Sequence, residues 1–356
     1  MTREAGLQAT GTDAASRLAP AGTSIPATAW ALSDGKAGDE LQCAAVIEAL
    51  GLTPDIRRVA PRRPWAWLAP RGPTDPAEAP EQPGSPIGGA FPDLLVASGR
   101  RAIPYARAVR RLSGGRTFTA ILKDPRVDPG VADFIWVPEH DSLRGPNVLA
   151  TLTSPHRLSP QRLAGARVTP PPALAEALPH DGRRRVAVLV GGDSRRHRFT
   201  TASIADFCAR LASLVASGSF LMVTTSRRTP PALAEATRDL IARHGGYFWD
   251  GAGENPYPAM MALADAVVVT TDSTNMIGEA AATGRPVLTF SPGPDDRKTR
   301  FLLDGLKARA VVHEFTGTLA GDAYPPINST PIIADAIMRA YAQARTPRAT
   351  LASPYN

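Results

Sequence analysis

"AVVVTTDSTNMIGEAAATGRPVLTF", residues 266–290, reads as a strand, a helix and a second strand. The run to Val269 is apolar, as a strand buried on both faces of a parallel sheet must be, and Thr270 closes the strand. A helix over about 273–283 follows, closed by Gly284 and Pro286, and residues 287–290 form the next strand. A helix of this length between two such strands makes a parallel βαβ crossover. The helix opens on Asp272, Ser273, Thr274 and Asn275. Its free N–H groups and hydroxyls suit phosphate oxygens. At 3.6 residues per turn Glu279 shares a face with Asp272, Asn275 and Met276, and helical side chains lean toward the N-terminus. A carboxylate so placed can accept two hydrogen bonds from a ribose diol. Taken alone, Glu279 is equally well a solvent-facing glutamate; the crowd of polar residues at the same helix start favours the first reading.

Working outward, strand–helix alternation recurs. "RVAVLVGGDSRRHRF" (185–199) is a strand ending in Gly191 and Gly192, which allow close approach of a phosphate, with Ser194, Arg195 and Arg196 beside them. A Ser194–His197 hydrolase is disfavoured, because no Gly-x-Ser-x-Gly elbow is present. "TTSRRTP" (224–230) closes the strand 220–224 with Thr225, Ser226 and Arg227 and suits a diphosphate, although Thr229, Pro230 and Pro231 would also serve simply to start a helix. Further elements are expected at 203–216, 231–244, 247–249, 257–263 and 297–306. In the first half, strands are expected at 27–32, 93–98, 118–122, 134–137 and 148–151, with helices over 39–50 and about 102–112. The helix 39–50 would bury Leu41, Ala44, Ala45 and Ala49. The pattern predicts an α/β protein of two Rossmann-like, doubly wound domains facing a cleft. Residues 1–26 are expected to form a disordered lead-in, 27–166 the first domain with a flexible Pro-rich loop at 70–92, 184–325 the second, and 326–356 a helix and tail packing back.

"SDGKAGDELQ" (33–42) follows the first strand. Gly35 and Gly38 permit a tight turn, Asp39 can cap the helix, and Lys36 adds charge for an anion. A plain strand–helix turn accounts for the same residues, and neither a P-loop nor a G-x-G-x-x-G spacing is present. In "VPEHD" (137–141), Glu139, His140 and Asp141 could supply a base on an acceptor side, or could form a turn.

Composition narrows the classes. The 356 residues carry a net charge of +7, mostly through arginine. Nucleic acid, anionic lipid and phosphorylated substrates would all fit that charge, but no basic helix with aromatic interleaving and no zinc-ligand spacing points to nucleic acid. Cys43 and Cys208 are isolated and suit a reducing compartment. No stretch reaches the roughly 18 apolar residues of a membrane span, and 1–26 lack a signal-peptide core, so a cytoplasmic protein is expected. "RRVAPRRPWAWLAPR" (57–71) interleaves arginines with Trp65, Trp67 and Leu68. It reads either as peripheral contact with the inner face of an anionic membrane or as a buried tryptophan pair with solvated arginines.

Together "SDGKAGDELQ", "VPEHD", "GPNV" (145–148), "LVGGDSRRHRF", "TTSRRTP" and "TTDSTNMIGEAAATGRPV" resemble, in order over about residues 28–316, the proteobacterial relatives of the plant mitochondrial-fission factor of the elongated-mitochondria type. The resemblance implies a glycosyltransferase-like protein of the two-domain GT-B fold. It extends to the lipid A disaccharide synthase and the muramyl-peptide N-acetylglucosaminyltransferase, where a Ser-rich strand end, a helix glutamate and a Gly-x-Pro hold the nucleotide of a UDP-sugar. Here those elements fall on Ser273, Glu279, Gly284 and Pro286, and Gly38-Asp39 matches the synthase's acceptor-side loop. The expected function is transfer of a sugar from a nucleoside-diphosphate sugar, UDP favoured, to a glycan or lipid-linked acceptor. Asp34 or Asp39 would be the base and Lys36 its electrostatic support. Gly191, Gly192, Ser194, Thr225, Ser226, Arg227, Asp272, Ser273, Thr274, Asn275 and Glu279 would hold the donor. Fixed cations and helix dipoles would stabilise the leaving diphosphate, so no metal or cofactor is required in principle. A nucleotide-sugar 2-epimerase of the same fold, and a non-catalytic scaffold with a division-related role, are the alternatives.

Overall fold

The computed structural model describes residues 25–194 and 197–346; most of the expected lead-in, Arg195, Arg196 and the last ten residues lie outside them. Contacts divide the described chain into two units, the first made of 25–137, 141–150 and 330–346, the second of 138–140 and 151–329. Each is a six-stranded sheet with helices on both faces.

The first unit contains β1 (Ala29–Ser33), α1 (Ala37–Ala49), β2 (Pro54–Arg58), α2 (Trp65–Leu68), β3 (Leu94–Ser98), α3 (Ile103–Leu112), β4 (Phe118–Leu122), β5 (Phe134–Pro138) and β6 (Val148–Thr151). Its strands run in the order β2-β1-β3-β4-β5-β6. Alternate residues of each strand feed opposite cores, as a period of two requires. Trp30, Leu32, Leu95, Ala97 and Ile121 pack with α3. Ala29, Ala31, Leu94, Val96, Phe118 and Ala120 pack with Cys43, Val46 and Ile47 of α1. The buried stripe of α1 is only partly the expected one: Ala44 and Ala45 are buried, but Leu41 is half exposed and Ala49 exposed, and the sheet receives instead the stripe carrying Cys43, Val46 and Ile47. The strand β2, half exposed and carrying Arg57 and Arg58, has too little apolar alternation to be read from sequence.

The loop 70–92 is pinned, contrary to its composition. Asp75 is fully buried and accepts hydrogen bonds from the Arg62 guanidinium (2.6 and 2.8 Å), the Arg62 N–H (2.8 Å) and the Ala77 N–H (2.9 Å). The guanidinium and these N–H groups hold its carboxyl far below the ordinary carboxylate range. Ile87, also fully buried, inserts the far end of the loop into the core beside Trp30 and Tyr105.

The second unit begins with α4 (Pro160–Val168) and α5 (Pro172–Ala177), continues through β7 (Arg185–Val190), α6 (Thr201–Ala216), β8 (Phe220–Thr225), α7 (Pro231–His244), β9 (Tyr247–Trp249), α8 (Tyr257–Leu263), β10 (Ala266–Thr270), α9 (Thr274–Ala281), β11 (Val287–Phe290) and α10 (Arg297–Lys307), and ends at β12 (Val312–Glu314). All five strand pairings are parallel, in the order β12-β11-β10-β7-β8-β9. Residues 151–166, expected with the first domain, pack here instead. Leu158 and Leu163 join the core formed with α8 and α9, because the apolar side of α4 has α8 to cover it. Among the described residues no helix is long and apolar enough to cross a membrane.

The last helix, α11 (Ser329–Arg345), returns to the first unit, where Ile333, Ile337 and Tyr341 join the α1 core. Tyr341 meets Phe118 of β4 edge to face, with ring centroids 5.6 Å apart. Tyr341→Ala is expected to lower the unfolding free energy in urea by about 3 kcal/mol, and Tyr341→Phe by under about 1. An alanine variant as stable as the parent would show that the sheet does not depend on this helix.

Candidate functional site

In the second unit the sheet order reverses direction between β7 and β10, and ligands of open α/β sheets sit outside the carboxyl ends of strands at such a point. Two loops leave there: Gly191–Ser194 after β7, and Thr271–Ser273 after β10. They are tied together by one carboxylate. Asp272 accepts from the Gly192 N–H (2.9 Å) and the Thr270 hydroxyl (2.7 Å), while Thr270 itself accepts from the Gly191 N–H (2.8 Å). Space explains both glycines. A Cβ on Gly191 would lie 2.0 Å from Asp272 Oδ1, and one on Gly192 2.0 Å from the Arg228 carbonyl oxygen. Arg228, from the loop after β8, closes the tie with a guanidinium 3.4 Å from Asp272 and 3.3 Å from the Asp193 carbonyl. The Asp272 side chain has no exposed surface. It is a brace between loops, where the sequence suggested a ligand contact.

Ser273 is likewise engaged as the N-cap of α9, accepting from the Met276 N–H at 3.4 Å. Thr274 and Ser194 face a pocket of about 240 Å³ whose remaining walls are His197, Asp272, Asp296, Lys298 and Thr299. Asp296 caps α10, accepting from the Thr299 N–H at 2.8 Å. Among the described residues the pocket has the starts of α9 and α10 and the Lys298 ammonium on its walls, beside the Asp296 carboxylate engaged as a cap. The helix starts and the ammonium favour an anion. On the pocket wall, His197 Nε2 lies 3.2 Å from Asp295 Oδ1, which also accepts from the hydroxyls of Thr271 (2.6 Å) and Ser291 (3.1 Å).

Of the "TTSRRTP" residues, Thr225 ends β8 and Ser226 folds its own turn: its N–H donates to Thr229 Oγ1 (2.8 Å) and the Val190 carbonyl (2.9 Å). Arg227 is exposed, and it is Arg228 that reaches back toward the pocket loops.

Glu279 lies one turn further along α9. Its Oε2 accepts from the Tyr257 hydroxyl on α8, and Asn275 stands exposed on the turn before it. Burial pushes the Glu279 carboxyl above the ordinary carboxylate value, against the opposing pull of the Tyr257 hydroxyl and the charge of Arg162 on α4. The same burial, with the neighbouring carboxylate, drives the Tyr257 hydroxyl well up.

The first unit has its own reversal, between β1 and β3. Asp34 follows β1 with a side chain 5% exposed; its Oδ2 takes Lys36 Nζ at 3.0 Å, and its buried Oδ1 has no hydrogen-bond partner among the described residues. Gly99, after β3, sits at φ +98°, and a Cβ there would fall 2.6 Å from Asp34 Cγ. Asp39 pairs with Lys123, a residue with a left-handed backbone at φ 78°, and lies 4.0 Å from Lys36. Two carboxylates and two ammonium groups therefore alternate at one strand-end cluster. Glu139 and His140 are not part of it. They belong to the second unit, where the His140 ring meets Phe301 of α10 edge to face, and only Asp141 stays with the first.

Lys123, Tyr257, Arg228, His197, Asp295 and Lys298 are site residues that the sequence reading did not assign. "SPGPDDRKTR" (291–300) carried a signal for Asp295 and Lys298: a strand end, the turn residues Pro292, Gly293 and Pro294, a pair of aspartates of which Asp296 caps the next helix, and a lysine in that helix's first turn.

The model of the family described as mitochondrial fission ELM1 matches residues 37–341. Mitochondrial fission protein ELM1 of Arabidopsis thaliana is 28% identical over 278 residues, covering 70% of this chain and 64% of that protein. An uncharacterized protein of Rickettsia prowazekii is 27% identical over 161 residues, 42% of this chain and 45% of its own. The chain thus spans less than two thirds of the length of these curated relatives. Among solved structures, UDP-GlcNAc 2-epimerase of Neisseria meningitidis bound to UDP-GlcNAc matches with a TM-score of 0.50 at 12% identity, over 88% of this chain and 100% of that one. That likeness concerns the fold, two Rossmann-like domains of the GT-B kind. With a family model matched from the first helix to the last, the chain belongs to the mitochondrial fission ELM1 family.

Proposed function

We propose that the second unit binds a nucleoside-diphosphate sugar, UDP favoured, and that the protein transfers the sugar to a glycan or lipid-linked acceptor. One observation carries the donor reading: a pocket bounded by two helix starts and Lys298 lies at the switch point, with a buried carboxylate one turn along α9. The pocket suits the diphosphate and Glu279 the ribose diol, with Tyr257 fixing the carboxylate's orientation. Ser194, Thr274 and Lys298 are the donor contacts. Gly191, Gly192 and Asp272 support them by holding the loops, and Ser226 and Arg228 shape the neighbouring turn. In the transfer, the bond between the anomeric carbon and the β-phosphate oxygen breaks and its electrons leave with the diphosphate. The acceptor oxygen bonds the anomeric carbon and its proton passes to a carboxylate. Asp34 and Asp39, with Lys36 and Lys123 beside them, are the candidates for that role.

UDP-GlcNAc is the first probe, since the epimerase of like fold carries it. A 2-epimerase would use the same donor site without an acceptor. Incubation of the protein with UDP-GlcNAc alone therefore separates the two: appearance of the manno epimer would replace transfer by epimerisation. A scaffold acting in division would bind no nucleotide at all.

Glu279→Gln is expected to weaken UDP binding about tenfold to a hundredfold in calorimetry. In the parent protein, affinity is expected to fall on acidification from neutral pH, beginning above the ordinary carboxylate range, because protonation removes an acceptor from a group whose pKa burial has raised. The Gln variant should be flat over the same range; equal pH dependence in both would remove Glu279 from the site. Lys298→Met is expected to weaken UDP about tenfold while leaving uridine unchanged. Equal losses for both ligands would remove Lys298 from the diphosphate.

A further inference from the structure

The first unit presents a surface that the donor reading does not use. Residues 57–74 and 99–123 contain no Asp or Glu, yet both are rich in arginine. The two segments are bound to each other. Arg100 donates to the carbonyls of Ala66 (2.8 Å) and Ala69, and Arg107 to those of Gly72 (2.5 Å) and Arg71 (3.2 Å). Four arginines of this region are neutralised by carboxylates from elsewhere: Arg57 by Asp55, Arg58 by Glu40, Arg62 by Asp75 and Arg110 by Asp133. Arg63, Arg71, Arg101, Arg107 and Arg111 are exposed, and among the described residues none has a carboxylate partner.

Trp67, 64% exposed, and Leu68, 51% exposed, project side by side from α2, the short helix whose carbonyls Arg100 holds. The expectation of a buried tryptophan pair therefore fails for Trp67. Arg63 lies over its ring at 5.1 Å and does not cover it. The turn that carries the pair is closely packed: a Cβ on Gly72 would lie 2.5 Å from Leu68 Cβ, and Arg100 holds the helix's last carbonyls. The two apolar side chains are thus presented on a fixed support.

We infer that this face docks on an anionic lipid bilayer, with Trp67 and Leu68 entering the interfacial layer and the unpaired arginines meeting the headgroup phosphates. Exposed cations on two joined segments that also carry an exposed aromatic–aliphatic pair match the layered chemistry of that surface, phosphate outside and hydrocarbon within. A nucleic acid would satisfy the arginines but offers Leu68 no apolar partner, so the bilayer is the better match. The inference is independent of the donor reading and is tested without nucleotide.

The full chain is sedimented with vesicles of phosphatidylcholine alone or mixed with phosphatidylglycerol, at low and high salt. Binding is expected to the mixed vesicles only, weakening as salt rises. Arg101→Glu with Arg111→Glu is expected to reduce the partition coefficient by tenfold or more, on the order of fivefold per arginine. Trp67→Ser with Leu68→Ser is expected to reduce it about tenfold while thermal melting stays unchanged, since both side chains are exposed. Absence of parent binding to the mixed vesicles would overturn the inference, as would undiminished binding of the Trp67/Leu68 variant. Tight binding to duplex DNA with none to vesicles would overturn it in favour of nucleic acid.

Discussion

The buried Asp272 carboxylate joins the ends of β7 and β10, and the architecture of the second unit's site follows from that junction. A carboxylate with no exposed surface must have its oxygens satisfied from within, and here a backbone N–H and a threonine hydroxyl do so, with an arginine beside them. The loops are drawn so close that only glycine fits at 191 and 192. With Asp272 turned inward, what remains at the opening is Thr274, Ser194 and the first turns of two helices. A helix start offers its N–H groups only if the preceding chain keeps clear of them, and the tie to β7 fixes that approach.

The two units use charged groups differently. In the second, most of the described polar residues around the pocket are committed to one another, and among the described residues Lys298 is the ammonium on its wall. The first holds an alternation of Asp34, Lys36, Asp39 and Lys123, in which a lysine with a left-handed backbone reaches a carboxylate far away in sequence. Arginines there serve three roles: some cap carbonyls, some neutralise buried or half-buried carboxylates, and some stay free. A net charge of +7 says nothing about that division. The unpaired arginines fall on 57–74 and 99–123, the two joined segments of which the first also carries the exposed Trp67.

Elements with strong periodicity were legible. β10, α9 and β11 lie where "AVVVTTDSTNMIGEAAATGRPVLTF" suggests, because β-branched runs between turn residues leave little choice. The strand β2 was not legible, since a half-exposed edge strand bearing arginines has no apolar alternation to detect. Composition was misleading at 70–92, where proline and glycine suggest freedom but Asp75 and Ile87 anchor the loop at points that only the fold brings together. The grouping of "VPEHD" with the first domain failed for its middle residues, 138–140, for a related reason. A strand can end in one unit while its last residues pack in another, and no local signal marks the crossing.

The sequence by itself determined the α/β class, the tandem of two strand–helix alternations and the loops in which polar residues accumulate. These depend on interactions between near neighbours: hydrophobic period, capping and turn chemistry. Only the tertiary structure decided which polar residues remain available. Asp272, Ser273 and Ser226 are engaged by partners, two of them within a few residues and Asp272 across the sheet. Lys298, Tyr257 and Lys123 enter their sites from elements distant in sequence. Availability is what is left after every buried donor and acceptor has found its partner, and those pairings are made in space.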